Sequence, residues 1–190
     1  MLEWLKNKKI QLFFLLVITI IVILLPTVIR FLQFKQIILP GDVIYYDIRI
    51  AQDISNNHLL ANDQLVFTQT KYLFNPFHYL LAVSFIIIPP NLAIILLTLF
   101  FSMISIILLY EIMDNLIISD NYKIITLILY ILSPIFLSST IFISKFTLGI
   151  VLFLLLIYLI IIKNNSYWID LAIVLLTVLM FYISLSFLLF

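Results

Sequence analysis

Asp42 is the residue whose type and place could best do chemistry. It follows the turn signal Pro40-Gly41, a short way beyond the first long apolar run, Ile10 to Ile29. If that run crosses a bilayer, Asp42 lies near headgroup level, where a carboxylate can bind a divalent cation or take a proton from an incoming hydroxyl. Asp42 also stands where a helix N-cap would, a role worth roughly 1 kcal/mol and compatible with catalysis. Behind it, Ile44, Ile48, Ala51 and Ile54 recur at the spacing of one apolar helix face. A short amphipathic helix over Val43 to Ile54, lying on the membrane surface, fits that stripe. Asp47, Arg49 and Asp53 then read as a solvated face with local ion pairs, and His58 as loop surface. His78, between Phe77 and Tyr79, is an imidazole at an interface and needs a partner; anchoring beside Tyr79 is the plainer account. Lys145 reads as a snorkelling side chain.

Composition says what must position these residues. The chain is 65% hydrophobic and 10% charged, against about a quarter charged in soluble domains, so its solvent is lipid. Ten Lys and Arg against nine Asp and Glu make no basic field, which argues against nucleic acid as a partner. The chain has no cysteine, so thiol catalysis, disulfides and thiolate metal sites are excluded. Two glycines make no phosphate-binding Gly-rich loop.

The fold class expected is all-α, a polytopic helical membrane protein with about five transmembrane helices and one or two interfacial helices in its first external loop. It forms a single membrane domain over residues 1–190. Residues 10–29 make the first span, about 30 Å long as a helix. Residues 30–90 form the external loop. The run Phe77 to Ile88 is only about 18 Å long before Pro89-Pro90, so it reads as interfacial. Four further spans follow in 91–190: Asn91 to Tyr110, Ile124 to Ile143 with a kink at Pro134, Phe146 to Ile162, and Trp168 to Phe190. Lys6, Lys8 and Lys9 precede the first span, which puts the N-terminus in the cytoplasm, with the link Glu111 to Lys123 on the same side. The last apolar run continues to Phe190, which reads as a chain incomplete at its C-terminal end. From Asn91 onward no acid or base falls mid-span, which argues against an ion-coupled transporter.

Two stretches carry a family resemblance. Gly41-Asp42-Val43-Ile44-Tyr45-Tyr46-Asp47-Ile48-Arg49-Ile50-Ala51, and then Tyr72-Leu73-Phe74-Asn75-Pro76-Phe77-His78-Tyr79, resemble the N-terminal part of GT-C-fold membrane glycosyltransferases. The likeness is to oligosaccharyltransferase catalytic subunits and protein mannosyltransferase-like enzymes, with an archaeal flavour. Leu132-Ser133-Pro134-Ile135-Phe136 resembles the family's Ser-Pro element in its third span. The resemblance implies Asp42 as the catalytic acid-base residue and tentative metal ligand, Tyr45, Tyr46, Arg49 and His78 as substrate-binding residues, and a divalent metal ion as a cofactor. It further implies a polyprenyl-phosphate sugar donor and membrane lipids as partners, a partner membrane subunit as an option, and the plasma membrane as location. The chain departs from the family at Val43, where many relatives carry a second acid, and at Asp47, where they carry His. Ser144-Lys145-Phe146-Thr147 also lacks the acid of the family's second external loop.

Two function classes follow: a GT-C-like glycosyltransferase or its N-terminal membrane module, and a non-catalytic integral membrane protein, either a degenerate relative or an assembly subunit. Both share one topology. Single cysteines at positions 62 and 121, introduced for Asn62 and Asn121, should react with an impermeant thiol reagent from outside only at 62; equal labelling would reverse the assignment of sides.

Overall fold

The computed structural model describes residues 7–35, 42–56, 75–141, 145–162 and 167–188; the side chains of 42, 43, 139–141, 145, 146 and 182–188 are not described. Among the described residues every regular element is a helix: α1 Lys8–Phe34, α2 Asp42–Ser55, α3 Pro76–Ile87, α4 Pro90–Asn115, α5 Asp120–Ile131, α6 Pro134–Ile141, α7 Lys145–Ile161 and α8 Tyr167–Leu188. The all-α class expected from the sequence is therefore observed. The helix ends follow local chemistry. The Asn7 side chain accepts from the Lys9 N–H at the start of α1, and Lys35 closes that helix in the left-handed conformation, donating to the Phe31 carbonyl. Pro90 opens α4, where the first N–H groups lack partners in any case.

Two helices among the described residues, α1 and α4, are long and apolar enough to cross a membrane; Pro76–Ile87, Thr147–Ile161 and Tyr167–Phe181 are shorter apolar helices. That is two rather than the five expected. The stretch 124–143, read as one kinked span, is two helices. Pro134 occupies the first position of α6, and the Ser133 hydroxyl accepts from the Phe136 N–H at 3.2 Å. A Ser-Pro pair makes a good helix start, and here the start wins over the kink. The polar link is also shorter than its composition suggested. Helix α4 continues to Asn115, and α5 begins at Asp120, so only Leu116 to Ser119 turn the chain, with Ile117 at φ 58°.

Helix α4 is the hub, packing against α1, α3, α5, α6 and α7. One of its faces joins Leu15 and Ile23 of α1, Leu127 and Ile131 of α5 and Phe136 of α6 around Ile106, Tyr110 and Met113. Another face, through Ile94, Phe101, Leu108 and Ile112, joins a second core with α3 and α7. On the buried side of α4 the Thr98, Ser102 and Ser105 hydroxyls donate to carbonyls of their own helix, so they enter the core already satisfied.

An ionic cluster ties the amino end of α1 to the carboxyl end of α4 and the start of α5. Lys123 is 2% exposed; its Nζ lies 2.6 Å from Asp114 Oδ1, 2.8 Å from Asp120 Oδ1 and 5.2 Å from the centre of the Tyr110 ring. Lys8 Nζ reaches the other Asp114 oxygen at 2.6 Å, and the Tyr110 hydroxyl donates to Gln11 Oε1 at 2.9 Å. Helices α1 and α4 thus run antiparallel, and the start of α1 shares one end of the bundle with the 116–119 turn. Burial works against the Lys123 charge, but the two carboxylates outweigh it and hold its ammonium above the usual lysine range. The hydrogen bond from Lys123 holds Asp120 below the usual carboxylate range.

The sign of each shift sets a pH window. The Asp120 contribution is present above the ordinary Asp value of about 3.9 and is lost as pH falls through its lowered folded value; that of Lys123 is present below about 10.4 and is lost as pH rises through its raised folded value. Melting in detergent should therefore be level across neutral pH. Asp114→Ala, which strips both lysines of a partner, should cost about 1.5–3 kcal/mol, and Asp120→Ala less, because that carboxylate is 43% exposed. Equal costs for the two would mean that Asp114 does not bridge the helices.

Candidate functional site

Helices α2 and α3 bring the two chemistry-bearing stretches together. The α2 stripe is buried as its periodicity demands, with Ile44 at 4%, Ile48 at 8% and Ala51 at 0% exposure. Its cover is protein: the stripe shares a core with Phe77, Leu81 and Ala82 of α3, where the sequence reading laid it on a membrane surface. At the start of α3, the buried Asn75 side chain accepts from the Phe77 N–H at 3.0 Å, and Pro76 takes the first helical position. Those two residues set the beginning of the helix, and with it the point where His78 projects.

His78 points into the α2–α3 interface. Its Nε2 lies 2.8 Å from Asp47 Oδ1, and the two side chains are 6% and 8% exposed. A carboxylate can only accept, so Nε2 carries the proton and donates. The Tyr46 ring of α2 stands edge-on to the imidazole with centroids 6.2 Å apart, and the ring of the neighbouring Phe77 on α3 lies 6.3 Å away. The reading of Asp47 as part of a solvated face is corrected here. Asp47 is three residues after Ile44 and four before Ala51, on the stripe itself, and a carboxylate carried into a core needs a hydrogen-bonding partner. That position was the signal in the sequence that pointed to it.

The other site residues divide by exposure. Tyr45 and Arg49 are exposed and share the outer face of α2 with Gln52, at i, i+4 and i+7. Tyr46 is half-buried against His78. Asp42 is the first residue of α2, and its side chain lies outside the described residues. The structure therefore joins Tyr46 and His78, through Asp47, and leaves Tyr45 and Arg49 facing outward. His78, expected among substrate-binding residues, has Nε2 engaged and is buried, so it bears on the site from behind.

The fit of a divalent cation can be judged from the same geometry. Asp47, the next acid after Asp42, has an oxygen bonded to His78, and among the described residues no group of three His, Asp or Glu side chains is placed to hold a metal ion. The described residues do not by themselves make a cation site. A second feature is a small cavity where Ser102 and Ser105 of α4 meet Phe136 of α6 and Thr147 of α7. The two serine hydroxyls bond their own helix, and Tyr130 is the titratable side chain in the lining, with no carboxylate, imidazole or amine beside it.

Compared with known protein families, with curated proteins and with solved structures, the chain matches none of them.

Removing one partner of the buried pair leaves the other without its hydrogen bond. Asp47→Ala and His78→Ala should each cost about 3–5 kcal/mol in detergent unfolding, while Asp47→Leu with His78→Leu should recover most of that loss. Additive losses in the double variant would show that the two side chains do not interact.

Proposed function

We propose that the chain is a multi-pass plasma-membrane protein of the GT-C glycosyltransferase type, or the N-terminal membrane module of one, transferring a sugar from a polyprenyl-phosphate donor at the outer face. One observation carries this reading. The two stretches that resemble the family are separated by residues 52–71 in sequence, and they meet at the hydrogen bond between Asp47 and His78. A single site built from both stretches is what the resemblance requires. The membrane setting is supported by α1 and α4, each long and apolar enough to cross, and by large outward apolar side chains such as Phe13 (69% exposed), Leu32 (61%) and Phe100 (55%). In this reading the shorter apolar helices α7 and α8 and the α5–α6 pair complete five passages, the N-terminus is cytoplasmic, and α2 and α3 lie at the outer face.

The chemistry assigned to the site is one displacement. The acceptor hydroxyl gives its proton to the Asp42 carboxylate while its oxygen bonds to the anomeric carbon. The bond from that carbon to the phosphate oxygen breaks, and its electron pair leaves with polyprenyl phosphate. Arg49, exposed on the outer face of α2, offers a fixed positive charge to the donor phosphate, with Tyr45 one turn away on the same face.

The alternative is a non-catalytic membrane protein whose α2–α3 layer binds a partner subunit. What favours it is the stretch 144–147, which holds no carboxylate where the family carries one. The test uses the purified chain in lipid nanodiscs with a radiolabelled polyprenyl-phosphate sugar. Arg49→Ala should weaken donor binding about 10- to 100-fold, the equivalent of one hydrogen bond to a charged group. Asp42→Asn should keep binding and lower turnover by roughly 10²- to 10⁴-fold. Absence of donor binding by the unaltered chain would decide for the non-catalytic alternative.

A further inference from the structure

Asp47 and His78 occupy a peculiar place for two polar side chains. They sit inside the apolar interface of α2 and α3, among Ile44, Ile48, Phe77 and Leu81, with almost no access to water. Neither side chain reaches the outer face of α2, where Tyr45 and Arg49 are exposed. An interface of Ile, Leu, Phe and Ala alone fixes how close two helices come, but its contacts are non-directional, and it leaves rotation and sliding weakly specified. A hydrogen bond buried in that interface is directional. It is satisfied in one register and leaves a desolvated carboxylate and imidazole in every other.

We infer that the Asp47–His78 pair is a positioning clamp that sets the rotation and axial register of α2 on α3, and through it the place of Asp42 and the direction of Arg49. The role of Asp42 rests on the proposed function above; the clamp itself does not. Among the described residues α2 is held chiefly by α3, and α3 is joined to the hub α4 through the short Ile88-Pro89 connection. The register of α2 is thus the last adjustable step between the bundle and the outer face. Asp47 lies five residues beyond Asp42, about 7.5 Å along the helix, close enough that a rotation about the α2 axis at Asp47 is transmitted to the amino end. Asn75 and Pro76 fix the other half of the clamp by starting α3 at a set point, with His78 three residues beyond the Asn75 cap. His78 and Asp47 are positioning residues and touch no reacting atom.

The experiment separates register from stability. The chain has no native cysteine, so nitroxide labels can be placed singly on the exposed positions Gln52 of α2 and Val83 of α3 and their separation measured by pulsed spin resonance in nanodiscs. Unaltered chain, Asp47→Asn and His78→Gln, which keep an acceptor and a donor respectively, should each give one narrow distance. The double variant Asp47→Leu with His78→Leu should melt like the unaltered chain yet give a broadened or displaced distance, with donor binding weakened through Arg49 and donor turnover lower by about 10²-fold, the loss typical of a misplacement near 1 Å. An unchanged narrow distance in the double Leu variant overturns the clamp and leaves the pair as a stabilising contact. If the unaltered chain binds no donor, the glycosyltransferase reading fails, while the label distances still decide the clamp.

Discussion

A polar side chain inside an apolar helix layer has no water to turn to, and much of this arrangement follows from where each one finds its partner. Among the described residues no buried side-chain nitrogen or oxygen lacks one. Two solutions are used. Thr19, Thr98, Ser102 and Ser105 bond carbonyls of their own helices, which silences the hydroxyl and lets neighbouring helices approach. Gln11, Asp47, His78 and Lys123 bond across to other helices, and these bonds select which helices meet and in which register.

The two cross-helix sets lie beside different cores of the bundle. The lysine cluster closes the carboxyl end of α4, where α1 begins and α5 starts. The Asp47–His78 pair belongs to the α2–α3 layer, which is joined to the amino end of α4 through Ile88-Pro89. Helix α4 thereby links a structural tie to the layer that holds the candidate site. Its opposite faces feed two separate cores, one with α1, α5 and α6 and one with α2, α3 and α7. A change in the first core reaches the second through α4 or through the contact of α6 with α7, whereas a change in α3 acts on α2 directly.

Some of this was legible residue by residue. The apolar runs over α1 and α4 announce themselves because a helix rises 1.5 Å per residue and a bilayer core needs about 20 apolar residues. Pro89-Pro90 and Asn75-Pro76 mark helix starts by chemistry that is local, and both starts are observed. The Ser133-Pro134 step was read as a kink inside one span and is the junction of two helices. The same residues suit both outcomes, because a proline whose missing N–H breaks a helix also suits the first position of the next one. Asp47 shows a different limit. Its place on the buried stripe was countable in advance, but its partner lies 31 residues away, beyond any local rule.

By itself, the sequence determined that this chain is helical, that lipid suits its apolar runs, and where most helices begin, since composition, periodicity and capping act over a few residues. Only the tertiary structure decided what each apolar stripe is buried against, and it put α3 where a membrane surface had been expected beneath α2. It also decided which charges are neutralised in pairs, turning Asp47 and Lys123 from surface groups into buried ties. The physical reason is common to both. Periodicity specifies that a face must leave water, whereas the identity of what covers it, and the partner that makes a buried charge tolerable, depend on contacts between residues that only the folded chain brings together.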